Sequence, residues 1–137
     1  MKKNNLFTII FVLVLSVVNY PQTTNTKVKA KIEYEENDGI IKITGTAENL
    51  TGIVQSLSYT LSVIKKNQSN NNTSNNVQEG FFSLNANENK NLSTTQINLG
   101  KEDEAIVLLL FYDENKKLIG KDRVVFDAEK KSRNTTY

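Results

Sequence analysis

The chain has no cysteine and no histidine. Without cysteine there can be no disulfide, no thiol chemistry, no Cys-based zinc site and no lipid-carrying leader. The missing histidine removes the commonest general base, the commonest metal ligand and the Ser-His and Cys-His nucleophile systems. An excess of one charge is lacking too. Seventeen Lys and Arg stand against 15 Asp and Glu, and Lys2 and Lys3 sit in the extreme N-terminus, so 15 face 15 beyond it. Such a balance offers no electrostatic footprint for nucleic acid. These absences predict a protein that is not an enzyme, holds no cofactor or metal, and depends on its core alone for stability.

What is present begins with a leader. Lys2 and Lys3 precede a 13-residue apolar run over 6–18 (LFTIIFVLVLSVV), which is the anatomy of a secretory signal. A spanning helix needs about 20 apolar residues. Here Asn19 and Pro21 end the run early, which sets a retained anchor second to a cleaved signal over 1–22. Cleavage is expected between Val18 and Gln22. The mature chain then fits one domain over 27–127 with a frayed tail at 128–137.

Beyond the leader, apolar residues recur with period two. Val28, Ala30, Ile32 and Tyr34 alternate with Lys27, Lys29, Lys31, Glu33 and Glu35, and after an Asn37-Asp38-Gly39 turn Ile41 and Ile43 continue the pattern. This reads as a hairpin of half-buried strands. In 53–64, Ile53, Leu57, Tyr59, Leu61 and Val63 fall on one face and four serine or threonine side chains on the other. The polar run 65–76 (KKNQSNNNTSNN) reads as a flexible hairpin loop, and Val77, Phe81, Phe82 and Leu84 mark the next strand, in which Gly80 suggests a bulge. Leu92 and Ile97 differ in parity, as in a bulged or sheet-switching strand. Residues 105–112 (AIVLLLFY) are apolar on both faces, the pattern of a central strand covered on each side or facing a partner. A last strand places Leu118, Val124 and Phe126 inward and Lys121, Arg123 and Val125 outward. No segment shows helical spacing with caps. Seven strands at such intervals predict an all-β, seven-stranded antiparallel immunoglobulin-like β-sandwich, with an up-and-down barrel as the second architecture.

Two carboxylate clusters, Glu33/Glu35/Glu36/Asp38 and Glu102/Asp103/Glu104, are the residues from which a hydrolytic pair or a Ca²⁺ site would have to be built. Neither spaces its ligands around a turn glycine, so they read as solvated turns and strand ends. Lysines 27, 29, 31 and 42 form one basic strip and Lys116, Lys117, Lys121 and Arg123 another, read as soluble faces that discourage edge pairing. Asn-x-Ser/Thr triplets occur at Asn49, Asn67, Asn71, Asn72, Asn91 and Asn134, but 19 asparagines make chance matches expected.

The segment Tyr59-Thr60-Leu61-Ser62-Val63 with Lys65, followed by Ser74, Val77-Gln78-Glu79-Gly80 and Phe82, then Leu92 and Leu99, resembles the curli assembly family of the CsgC and CsgH type over roughly 27–127. The resemblance implies a periplasmic immunoglobulin-like sandwich that keeps curli subunits from polymerising early. Its partner would be the curli major subunit or another amyloidogenic fibre protein, met by a monomer. Some relatives carry a Cys-x-Cys pair, which this chain lacks, and no catalytic residue carries over. On this reading the partner-binding residues are Tyr59, Leu61, Lys65, Gln78 and Phe82, on the outward face of their strands, with Lys121 and Arg123. The alternative is a generic exported immunoglobulin-like binding or adhesion module at the cell surface.

Overall fold

A computed structural model describes residues 23–127 and a two-residue strand at 133–134. The leader over 1–22, its cleavage site and most of the tail lie outside the described residues. Seven long strands follow one another: β1 (Val28–Asn37), β2 (Ile40–Asn49), β3 (Gln55–Asn67), β4 (Thr73–Leu84), β5 (Asn89–Asn98), β6 (Asp103–Tyr112) and β7 (Leu118–Asp127), with the short β8 (Arg133–Asn134) after them. They form two antiparallel sheets, β1-β2-β5 and β4-β3-β6-β7-β8. This is the two-sheet sandwich that the alternation predicts, rather than a closed barrel.

Alternation places the core. Val28, Ala30, Ile32, Ile41 and Ile43 from the small sheet meet Leu57, Leu61, Val63, Val107, Leu109, Phe111, Val124 and Phe126 from the large one, all buried. Each such side chain contributes roughly 1.5–3 kcal/mol when taken fully out of water. Tyr34 stays partly exposed but sets its ring edge-on against Phe126, with centroids 4.9 Å apart. The β1–β2 hairpin turns at Asp38-Gly39, both at positive φ (52° and 79°), as a two-residue loop with Asn37 opposite Ile40 requires.

Two bulges adjust the layers. The β2–β5 register slips between Gly45 and Thr46, leaving Leu92 as the extra residue, which accounts for its parity difference from Ile97. Leu92 and Ile97 both pack against the core. A second slip opposite Phe111 and Tyr112 leaves Ile119 unpaired and turned into the core, a bulge that the sequence pattern did not reveal. Gly120 sits beside it because a Cβ there would lie 2.6 Å from the Phe111 ring.

Three expectations need correction. Gly80 is not a bulge: β3 and β4 pair without a shift, and the glycine makes room for the Tyr59 ring, 3.2 Å from where its Cβ would stand. The polar run is mostly strand. β3 continues to Asn67 and β4 starts at Thr73, and the intervening turn is built by its own asparagines. Asn67 Oδ1 accepts from Ser69 N (3.0 Å), Ser69 Oγ (2.7 Å) and Asn70 N (3.2 Å), and Asn71 adopts φ 59°. Ile53 lies before β3 and is 66 % exposed, because strand pairing begins only at Gln55.

Candidate functional site

One acidic cluster lies at the turn before β6 and the other along β1 and its turn. Asp103 is engaged in the turn before β6: Gly100 N donates to its Oδ2 (2.8 Å), Asn67 Nδ2 to its Oδ1 (2.9 Å), and Lys65 Nζ stands 3.8 Å away. The Gly100 amide, then Asn67 and Lys65, hold this carboxyl below its ordinary value. Glu104 Oε2 accepts from Gln68 Nε2 (3.1 Å). Glu33, Glu35, Glu36 and Asp38 run exposed along β1 and its turn. Among the described residues no group of three or more metal-ligating side chains converges.

The seven residues expected to contact a partner separate onto two faces. Tyr59, Leu61 and Lys65 share the parity of Leu57 and Val63, and Gln78 and Phe82 lie opposite Leu61 and Leu57, so all five are on the inner side of the large sheet rather than the outward one. Leu61 is 1 % exposed. Tyr59 and Phe82 meet at 5.9 Å and Phe82 and Phe111 at 5.3 Å, an aromatic ladder that seals the sandwich. Lys65 spans the rim and donates to Asn98 O on β5 (3.1 Å). Lys121 and Arg123 project from the opposite, outer face, across from Leu110 and Leu108. The physical reason is parity. A residue alternating with serines on β3 faces the core, and the outward set is the serines themselves.

That outer face carries a pattern of its own. Ile106, Leu108, Leu110 and Tyr112 of β6 stand half-buried in a column, flanked by Ile64, Ser62, Thr60 and Ser58 of β3. Beyond β3 come Val77, Glu79 and Phe81 of β4. Phe81 is 93 % exposed and Val77 51 %, whereas adjacent Phe82 packs inward. Both faces of β6 are apolar, as its sequence announced, but among the described residues only the inner one is covered by a second sheet.

The edges of the sandwich differ as well. On one side β1 and β7 are stitched together by two polar side chains. Asn25 Oδ1 accepts from Ala30 N and Lys121 N (both 3.1 Å), Asn25 Nδ2 donates to Lys121 O (2.9 Å), and Asp122 Oδ2 accepts from Ile32 N (2.7 Å). These acceptors occupy amides that β1 would otherwise present to a foreign strand. On the other side β4 ends its sheet, and among the described residues no strand pairs with its outer edge. Asn49, 1 % exposed, anchors that side: its Nδ2 donates to Ile53 O (2.7 Å) and Asn85 O (3.0 Å), and its Oδ1 accepts from Thr51 N (3.0 Å) and Oγ1 (2.7 Å). No signal in the pattern of apolar residues marks Asn25, Asp122 or Asn49, although a polar residue at the inward parity of β7 is a hint for Asp122.

No protein-family model matches the chain, and no curated protein matches its sequence. Solved structures do. The E. coli curli protein CsgC superposes with a TM-score of 0.57 at 14 % identity, over 70 % of this chain and 96 % of CsgC. The solution structure of R. palustris CsgH gives 0.51 at 18 % identity, over 69 % and 89 %. The chain has a CsgC/CsgH-like fold. A Bacteroides uniformis β-glucuronidase also matches, with a TM-score of 0.54 at 10 % identity over 74 % of this chain but 14 % of the enzyme. Similar sandwiches therefore stand alone and within a larger enzyme, and function must be argued from surfaces.

Within the CsgC/CsgH-like sandwich an open groove of about 980 Å³ lies over the β3–β4 pair. Ser58, Thr60, Glu79, Gly80 and Phe81 line it together with Asp113, Glu114 and Lys116 of the β6–β7 turn. It holds hydroxyls, the aromatic residues Tyr59, Phe81 and Phe82, and mixed charge. Such a groove suits reversible contact with a polypeptide better than chemistry on a small molecule.

Proposed function

We propose that this protein is a non-enzymatic, exported factor of curli assembly that acts in the periplasm and restrains premature amyloid polymerisation of curli subunits. The observation that carries this reading is the superposition on nearly the whole of the curli protein CsgC, and on most of CsgH, rather than on a fragment of either. The leader motif over 1–22 supports export. No His or Cys is available for nucleophile or acid–base systems, which supports a role exercised by surfaces alone. Growing amyloid adds strands at exposed edges, so a small soluble domain that engages early species transiently delays growth without matching the subunits in number.

The test is a thioflavin-T time course of the cognate curli major subunit with the mature domain at low molar ratio. A lengthened lag supports the proposal, and an unchanged lag refutes it. A second reading, an immunoglobulin-like adhesion module at the cell surface, is favoured by the exposure of Phe81. Protease treatment of intact cells separates the two: digestion points to the surface, and release only by osmotic shock points to the periplasm.

A further inference from the structure

Among the strand edges of this sandwich, β4 is long and regular, and the side chain that reaches its backbone from β5 does so near its end, where Lys90 Nζ donates to Ser83 O (2.7 Å). It pairs with β3 from Thr73 to Lys66 through Leu84 to Gln55 without a register shift, and among the described residues its other edge meets no strand. Devices that usually blunt an edge are lysine, proline, a bulge or a cap. Lys90 at Ser83 apart, none occurs along TSNNVQEGFFSL, whose one charge is Glu79. By contrast, β1 carries alternating lysines and has two amides capped by Asn25 and Asp122. β5, the other edge of the small sheet, is interrupted by the Leu92 bulge, and the large sheet ends on its far side in the two-residue β8.

We infer that the outer edge of β4 captures an extended, non-acidic segment of an amyloid-forming polypeptide as an added strand. The inference rests on the proposed function and supplies its mode of binding. A row of N–H and C=O groups at strand spacing is matched only by another extended backbone, which fixes the occupant's conformation. Composition follows from the surroundings: a strand laid beside β4 brings its side chains next to Val77, Glu79 and Phe81. Glu79, the one charge of β4, disfavours an acidic segment. A second copy of this chain is disfavoured too, since pairing two β4 strands brings like-charged, Glu79-bearing edges together.

The experiment titrates the ¹⁵N-labelled mature protein with a blocked, uncharged peptide of about ten Asn, Gln, Ser and Gly residues, the length of an ordinary strand. Controls are the same peptide with two interior prolines, which cannot complete a ladder, and the Val77→Lys/Phe81→Lys protein. Amide shifts and exchange protection are expected to run along Thr73–Leu84. The proline peptide is expected to have no effect, and binding to the double variant to be about tenfold weaker. Shifts centred on β5 or on Lys121 and Arg123, no shifts at millimolar peptide, equal binding by the proline peptide, or concentration-dependent self-pairing of β4 would each overturn the inference. Val77 and Phe81 are exposed, so the variant is expected to fold. If it lengthens the thioflavin-T lag as well as wild type does, the edge inference fails while the proposed function stands. If wild type leaves the lag unchanged, the function fails and the peptide titration still decides the edge.

Discussion

The two sides of this sandwich solve the same problem in opposite ways. Along the β1–β7 side the sheets are joined by Asn25 and Asp122, which satisfy backbone groups that have no strand partner. Along the β4 side no strand pairs with the edge among the described residues, and the layers are held from the end, by Lys90 on Ser83 O and by Asn49 and the connection it ties to Ile53 and Asn85. The difference teaches that an open edge here is local. A protein able to cap one edge with two side chains leaves most of another, the 12-residue β4, without such caps, Lys90 reaching it at Ser83.

Breaking the anchor of the open side should have the largest effect. Asn49→Ala removes a buried side chain and takes its partner from Asn85 O and Thr51 N, while Thr51 Oγ1 keeps Ile53 O, and is expected to cost about 3 kcal/mol, measured by urea unfolding of the mature domain. A variant as stable as wild type would mean that the connection holds itself. Opening the sealed side comes next. Asp122→Ala leaves Ile32 N without its acceptor and should cost about 2 kcal/mol, with faster exchange at that amide by NMR. Asn49 also belongs to an Asn-x-Thr triplet, but its amide nitrogen is engaged and buried in the folded protein.

The open edge should tolerate change. Val77→Lys/Phe81→Lys is expected to alter unfolding free energy by less than about 0.5 kcal/mol, because both side chains face solvent. A larger loss would show that these residues support the fold. The smallest effect concerns pH. Asp103 has its carboxyl held below the ordinary value of 3.8, so the ionised form is favoured in the folded state. Its contribution is complete above the unfolded value and disappears as pH falls through the lower folded value. Acid unfolding followed by circular dichroism should therefore be shallower below about pH 4 for Asp103→Asn than for wild type.

Much of this was legible in the sequence, for a physical reason. Period-two burial is a property of each strand taken alone, so Val28 to Tyr34, Ile41, Ile43 and the parity change between Leu92 and Ile97 could be read without a partner strand. What was not legible depends on pairs distant in sequence. Ile119 is a bulge only against Phe111, and Gly80 is a seat for Tyr59 only because those residues lie opposite each other. Asn25 acts 96 residues away, on Lys121. The candidate site suffered from a similar limit. The segment that carries the family resemblance is largely core packing, so Tyr59, Leu61 and Phe82 marked the fold, whereas exposed Phe81 stood beside them and was counted only as strand. Composition misled over 65–76, where asparagine runs suggested a loop but local side-chain bonds close a short turn between two strands.

Hydrogen exchange of the free mature protein, followed by NMR residue by residue, tests the contrast between the two edges most directly. Ala30 and Ile32, whose amides are capped by Asn25 and Asp122, are predicted to exchange slowly, and the alternate amides of β4 that point away from β3 are predicted to exchange far faster. Equal, slow exchange along β4 would mean that its edge is already occupied, and the account of an open side would be contradicted.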